Sequence, residues 1–247
     1  MVIDGRRELC LIVGAGEGLG RSLAVTFACN GCDLILASRS EAGVAALSQA
    51  VHAAASDARI ETLAADVERA ADLEDSITRL GTRLGPIDVL IYNVRGRTPF
   101  CAPLDMSYEA LERSLRLEAI GAFAAAKAVL PQMIERGRGT LIFSSATAAF
   151  RGSATHPLYS IGKFALRGMT QSLARAYGPR GVHVAHIRLD CALDTPLMRQ
   201  LAPDDAKAGR LTSPDAVANI YWSVHRQSPL AWSNEVEVRP STEPWTL

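Results

Sequence analysis

The sequence predicts an α/β fold: one doubly wound domain with a seven-stranded parallel sheet and helices on both faces. Three observations predict it. Seven apolar runs alternate with helical patterns along the chain, which implies right-handed crossovers and a parallel sheet covered on both sides. A glycine-rich turn joins the first apolar run to the first helical one. The length, 247 residues with 48% hydrophobic content, suits one domain with a large core, and no repeat, linker or low-complexity segment divides residues 1–247.

The first strand is LCLIV, Leu9 to Val13. The turn GAGEGLG follows, with Gly14, Gly16, Gly18 and Gly20, and delivers the chain into the helical stretch RSLAVTFACNG. Residues without Cβ let the backbone turn sharply and let a phosphate approach the main chain. The unpaired N–H groups and dipole at the start of the helix favour an anion. Strand, glycine turn and helix together have the physical form of a dinucleotide diphosphate site.

The second strand is DLILASR, ending at Ser38 and Arg39, and an alanine-rich helix spans 41–55. RIETLA, 59–64, alternates as a strand should and runs into Asp66-Val67; a helix over 69–84 is stopped by Gly85-Pro86. IDVLIY, 87–92, is a continuous apolar strand of the kind buried on both faces. After a loop, Ser107 opens a long helical stretch to Arg136, broken by Gly137. TLIFS, 140–144, is the next strand, followed by a loop of small residues and a helix over 157–177. VHVAHIRL, 182–189, is a strand, and 190–212 reads as a long loop, the kind that tends to be functional. Ser213 caps the last helix, with Pro214 at its first position, and EVEVR, 235–239, is the last strand. A ligand is expected beyond the carboxyl ends of the strands.

Charge and composition exclude several classes. The formal net charge is zero, so there is no electrostatic footprint for nucleic acid or an anionic membrane. No apolar run is expected to approach the length of a bilayer span, and the charged start MVIDGRRELC does not read as a signal peptide, so the expected location is cytoplasmic. Five cysteines, an odd number scattered through apolar segments, argue against a disulfide framework. Cys29 and Cys32 form a lone C-x-x-C with no further ligands near them, so no metal site is expected.

The catalytic candidate is Tyr159-Ser160-Ile161-Gly162-Lys163. Four-residue spacing on a helix puts the phenol and the ammonium on one face. A cation beside a phenol favours the phenolate, which equips the pair for general acid/base work near neutral pH. With five Tyr and only Lys127, Lys163 and Lys207 in the chain, a chance match is uncommon. Among the histidines, His156 lies three residues before Tyr159 and could line the site; His183 and His186 read as structural, and His52 and His225 as surface residues.

With both motifs in view, the chain resembles the short-chain dehydrogenase/reductase family over nearly its whole length. The resemblance is carried by the glycine turn 14–20, Asp66-Val67, Asn93, the Tyr159–Lys163 motif and Thr195. It implies a Rossmann-type domain and hydride transfer between a nicotinamide cofactor and a carbonyl or secondary alcohol. Tyr159 would be the acid/base, and Lys163 would also hold the nicotinamide ribose. The cofactor would meet Gly14, Gly16, Gly18, Leu19 and Gly20 at its diphosphate, Asp66 and Val67 at the adenine, Asn93 and Lys163 on the ribose side, and Leu193 and Thr195 at the carboxamide and phosphates. The family's upstream serine falls by spacing on Ala146; Ser145 and Thr147 flank it, and Ser145 is the candidate. The helix Asn of the family's proton relay aligns with Glu118, which can also hold a water. Tyr92-Asn93-Val94-Arg95 stands for the usual Asn-Asn-Ala-Gly, and Asp190-Cys191 for Pro-Gly.

Relatives that select NAD carry an acid at the end of the second strand. Ser38 and Arg39 stand there instead, and a guanidinium can pair with a 2′-phosphate, so NADP(H) is expected over NAD. The resemblance further implies a homodimer or homotetramer joined through the two long helices. Arg95, Arg97 and Arg199 mix with Phe100, Leu193, Leu197 and Met198 in the expected pocket loops. A protein that binds the dinucleotide without turnover is the alternative, on the strength of the departures at Ala146, Glu118, Val94-Arg95 and Asp190-Cys191.

Overall fold

Seven strands lie side by side in one parallel sheet, in the order Ile60–Ala64, Cys32–Ser38, Arg6–Val13, Val89–Tyr92, Gly139–Ala146, Val182–Leu189 and Glu235–Val238, with the two-residue Val2–Ile3 added antiparallel to Arg6–Val13. The structure is a computed structural model that describes residues 2–3, 6–96 and 98–242. The strands are β1 (Val2–Ile3), β2 (Arg6–Val13), β3 (Cys32–Ser38), β4 (Ile60–Ala64), β5 (Val89–Tyr92), β6 (Gly139–Ala146), β7 (Val182–Leu189) and β8 (Glu235–Val238). The helices are α1 (Leu19–Cys29), α2 (Glu41–Ala54), α3 (Ala70–Leu84), α4 (Tyr108–Leu115), α5 (Gly121–Arg136), α6 (Pro157–Tyr177), α7 (Pro196–Leu201), α8 (Pro203–Lys207) and α9 (Pro214–His225). The seven-stranded parallel sheet expected from the alternation is therefore present.

Period-two alternation within the strands builds two cores, one on each face. Leu9, Leu11 and Val13 of β2 join Leu90 and Phe143 beneath α3, α5 and α6. Cys10 and Ile12 turn the other way and join Ile91 and Ile142 beneath α1, α2 and α9. Burial on both faces is why these strands read as unbroken apolar runs. Burial also pushes the Cys32 thiol up to about 12, so it packs as a neutral side chain.

Three departures from the sequence reading have simple causes. β2 starts at Arg6 rather than Leu9, because β1 pairs with Arg6 and Arg7 just before the register with β5 begins at Cys10. The stretch 190–212 holds α7 and α8, each with Pro at its first turn, and is closed at its base by a bridge between Leu193 and Thr212. His225 is not a surface residue: its ring packs against Phe27 and Trp222 and contacts Thr140 Oγ1 and Glu8.

The helical run 108–136 has the length and mean hydropathy of a membrane span. Its apolar residues include Ala122, Ala125, Val129 and Met133, which are buried in the core between α3 and the sheet. It occupies the place of a core helix.

β2 lies between β3 and β5, so the order in which successive strands are laid down reverses there. At such a switch point the loops leaving adjacent strands diverge and open a crevice at the carboxyl edge.

Candidate active site

The crevice is a cavity of about 910 Å³. Its walls come from the glycine turn (Gly14, Glu17, Leu19, Gly20), the end of β5 (Asn93, Val94, Arg95), the end of β6 (Ser144 to Ala148), α6 (Tyr159, Lys163) and the segment after β7 (Asp190 to Leu193 and Thr195 to Met198).

The glycine turn is shaped by close backbone packing. Gly14 has φ +91°, and a Cβ there would sit 2.6 Å from Asn93 O. Gly14 N and Ala15 N donate to Ala37 O at 2.9 and 3.0 Å, which pulls the end of β3 against the turn. Asn93 is held on the other side: its N–H donates to Val13 O at 2.7 Å and its Nδ2 to Gly14 O at 3.3 Å. Gly16 faces open space, and a Cβ added there would meet nothing within 4 Å. No side chain caps the first turn of α1. The turn thus presents free backbone N–H groups beside an opening, which fits a diphosphate. Thr195 caps α7 by accepting the Met198 N–H at 3.2 Å, and its methyl stands over Gly18.

Ser38 and Arg39 follow directly from Ala37, so they border the glycine turn at the far side of the crevice from Tyr159. Ser38 accepts the Ser40 N–H at 3.2 Å, and Arg39 is exposed. Ser38 O accepts the Ala65 N–H at 2.9 Å, which brings Asp66 to the same edge. The Asp66 side chain accepts the Glu68 N–H at 3.1 Å, while Val67 is buried against Gly121. Gly16, Gly18, Ser38, Arg39, Asp66 and Val67 do not line the cavity itself; they continue its edge.

At the other end Tyr159 is half-buried on α6, and its hydroxyl has no hydrogen-bond partner among the described residues. His156 stacks on its ring at 5.1 Å between centroids, and Phe100 stacks on His156 at 4.2 Å. His156 Nε2 is held by Thr98 Oγ1 at 2.7 Å, so the stack is fixed to the loop before α4. Lys163 Nζ lies 5.7 Å from the Tyr159 ring centroid.

Lys163 is fully engaged. It donates to Ser144 O at 3.1 Å and stands 2.7 Å from Glu118 Oε2. The Glu118 contact is an ion pair without the alignment of a good hydrogen bond; the directed bond goes to the Ser144 carbonyl. Burial by itself would depress the Lys163 pKa, but Glu118 and Tyr159 more than offset it, and the ammonium's pKa is raised. Glu118 Oε1 accepts the Gly96 N–H at 3.1 Å, so the carboxylate links α6 to the loop after β5.

A wide π turn, Arg116–Ile120, interrupts the helix between α4 and α5 and carries Glu118. The Tyr92 hydroxyl donates to Leu117 O at 2.6 Å and satisfies a carbonyl in that turn. Gly162 lets α6 come against it: a Cβ at 162 would lie 2.7 Å from Ser114 Oγ and 2.8 Å from Glu118 Cγ. Neither the π turn nor the role of Tyr92 carried a signal in the sequence, because both arise from the fit of three separate elements.

Ser145 and Thr147 differ in their partners. Ser145 is buried on the cavity wall, and its hydroxyl has no partner among the described residues. The Thr147 hydroxyl donates to Asp190, which is also paired with Arg239. Burial would raise the Asp190 carboxyl, but these two partners hold it below the usual carboxylate range. Ser144 points to the opposite face and accepts from the Tyr221 hydroxyl at 2.8 Å. Arg97 lies outside the described residues, and Arg199 is paired with Asp194 outside the cavity lining.

The family model described as short chain dehydrogenase matches residues 8–206. The chain belongs to the short-chain dehydrogenase/reductase family. It is 36% identical over 181 residues to a 2-keto-3-deoxy-L-fuconate dehydrogenase of Xanthomonas campestris pv. campestris, covering 73% of this chain and 56% of that protein. It is 30% identical over 204 residues to a levodione reductase of Leifsonia aquatica, covering 81% of this chain and 76% of that one. A crystal structure of levodione reductase superposes with TM-score 0.84 at 25% identity, over 95% of this chain and 96% of the other. The family is one of oxidoreductases, so the cavity is the place to look for redox chemistry.

Proposed function

We propose that residues 1–247 form a single Rossmann-type domain that reduces a carbonyl or oxidises a secondary alcohol with NADP(H). Tyr159 serves as the general acid/base. The observation that carries the reading is one cavity wall: an open Tyr159 hydroxyl and the unpartnered buried hydroxyl of Ser145, with Lys163 behind the tyrosine. The names of the two relatives, a dehydrogenase of a keto acid and a reductase of a dione, support a keto or hydroxyl substrate.

The glycine turn would hold the diphosphate through its backbone N–H groups, with Asn93 and Lys163 toward the ribose, Asp66 and Val67 toward the adenine, and Leu193 and Thr195 toward the carboxamide and phosphates. When bound, the reduced nicotinamide supplies the hydride that adds to the carbonyl carbon. Ser145 donates a hydrogen bond to the carbonyl oxygen, and Tyr159 passes its proton to that oxygen as the negative charge develops. Lys163, kept charged by Glu118, stabilises the phenolate left behind. In the alcohol direction each transfer reverses. Ser38 and Arg39 support NADP(H) over NAD, because neither repels a 2′-phosphate and the guanidinium can bind it.

Ile120, Phe123 and Phe164 are exposed apolar residues on the two long helical elements, which supports pairing of copies through those helices as a homodimer or homotetramer. Zero net charge supports a small-molecule substrate over a nucleic-acid or anionic-membrane partner, and a cytoplasmic location is part of the same proposal.

The test follows NADPH oxidation with a panel of ketones, diketones and oxo acids. Tyr159→Phe should lower kcat by roughly 10²-fold or more while NADPH affinity, read by fluorescence titration, stays within twofold. Full turnover in that variant would remove the mechanism. NADPH binding to the wild type with no turnover on any of the panel would favour a dinucleotide-binding protein instead.

A further inference from the structure

Among the described residues that line the cavity, Arg95 is a cation that the chemistry above does not use. It follows Val94 beyond the end of β5, and its guanidinium carbon lies 6.0 Å from the centroid of the Tyr159 ring. Lys163 there is matched by Glu118, and Asp190 by Arg239. No carboxylate among the described residues pairs with Arg95, whereas Arg199 and Arg210, in the segment after β7, each hold an aspartate, Asp194 and Asp205. The position is also held from below: the N–H of the next residue, Gly96, is tied to Glu118 at 3.1 Å. The cavity also carries Leu193, Leu197 and Met198, aliphatic groups that cannot satisfy a guanidinium.

Arg95 is exposed at the cavity, over the tyrosine ring and without a carboxylate of its own among the described residues, so its guanidinium is open to an anion. Its planar fork matches a carboxylate with two parallel hydrogen bonds of about 2.8 Å. A carbonyl oxygen on the Tyr159 hydroxyl would sit about 2.7 Å from it.

We propose that Arg95 binds the carboxylate of the substrate, so that the site takes short oxo acids and the corresponding hydroxy acids. This rests on the reading of Tyr159 as the group that meets the carbonyl. A phosphate of the cofactor is the other anion that could reach Arg95; the glycine turn and the α1 terminus already receive the diphosphate, which leaves Arg95 to the substrate.

The experiment has two readouts. The first is binding of oxamate, a carboxylate that cannot be reduced, and of its neutral counterpart oxamide to the NADPH-loaded protein by calorimetry. Wild type should bind oxamate well above oxamide. Arg95→Met should weaken oxamate by about 100-fold, Arg95→Lys should recover part of the loss, and the NADPH dissociation constant should move less than threefold. The second is steady-state kinetics: Arg95→Met should raise KM for oxo acids at least ten times more than KM for their methyl esters, with the larger change in KM and not in kcat. Equal binding of oxamate and oxamide to wild type, a loss in Arg95→Met that falls on NADPH, or an equal loss for acids and esters would each overturn the proposal. If oxamate binds through Arg95 but no carbonyl compound is turned over, the catalytic reading fails and the anion site stands.

Discussion

The two ends of the crevice are built from different materials. At the β2–β3 end the site is main chain: no side chain caps the first turn of α1, Gly16 leaves open space beside it, and the Gly14 and Ala15 N–H groups tie the turn to the end of β3. At the β5–β6 end the site is side chains under electrostatic constraint, with Lys163 on Glu118, Thr147 on Asp190, and Arg95 over Tyr159. A backbone site tolerates few changes in residue type, and its neighbours hold it mostly through main-chain hydrogen bonds. A side-chain site can be rewired, because each charge depends on another that can lie far away in the chain. The departures from the family pattern at Glu118, Arg95, Ala146 and Asp190 all fall at the second end, and the glycine turn keeps its glycines.

Three experiments sharpen that contrast. The largest expected effect separates the two hydroxyls at the side-chain end. Ser145→Ala should lower kcat roughly 10²-fold, because it removes a donor beside Tyr159 that has no other partner among the described residues. Thr147→Val should cost under tenfold, since its hydroxyl is spent on Asp190. If the two variants reverse in severity, Thr147 rather than Ser145 faces the substrate.

At the backbone end the expected effect is on folding. Gly14→Ala forces a side chain to φ +91° and against Asn93 O, a strain of about 1–3 kcal/mol. Gly16→Ala meets no atom, so its melting temperature should match wild type while NADPH affinity falls. Equal melting temperatures for the two variants would show that the turn is less constrained than the close approach implies.

The smallest effect is a change in pH dependence. Glu118→Gln removes the charge that keeps the Lys163 pKa raised and leaves burial to depress it. A lower pKa means the ammonium loses its proton at a lower pH. The alkaline limb of the pH–rate profile should therefore move to lower pH. An unmoved limb would mean that the Glu118 charge does not govern Lys163.

How far the sequence could be read follows the same divide. The strand pattern, the glycine turn and the Tyr159–Lys163 spacing are local: each depends on residues within a few positions, and backbone geometry or helical periodicity converts them directly into structure. The reading of His225 as a surface residue went wrong because its neighbours, Glu8, Phe27 and Thr140, come from elements far apart in sequence. His186 reads as structural, and its ring is fully buried with no hydrogen-bond partner among the described residues, where burial holds it down to about 4. The choice between Ser145 and Thr147 was open for a like reason, since it turns on Asp190, more than forty residues away.

By itself the sequence determined the doubly wound sheet, the diphosphate turn and the phenol–ammonium pair, because hydrophobic alternation and fixed local spacings encode them. Only the tertiary structure decided which charges meet: Glu118 reaching Lys163 from a π turn, Asp190 taking Thr147, and Arg95 beside Tyr159 with no acid among the described residues. Coulombic contacts depend on distance in space, and distance in space between remote residues is set by the packing of the whole domain.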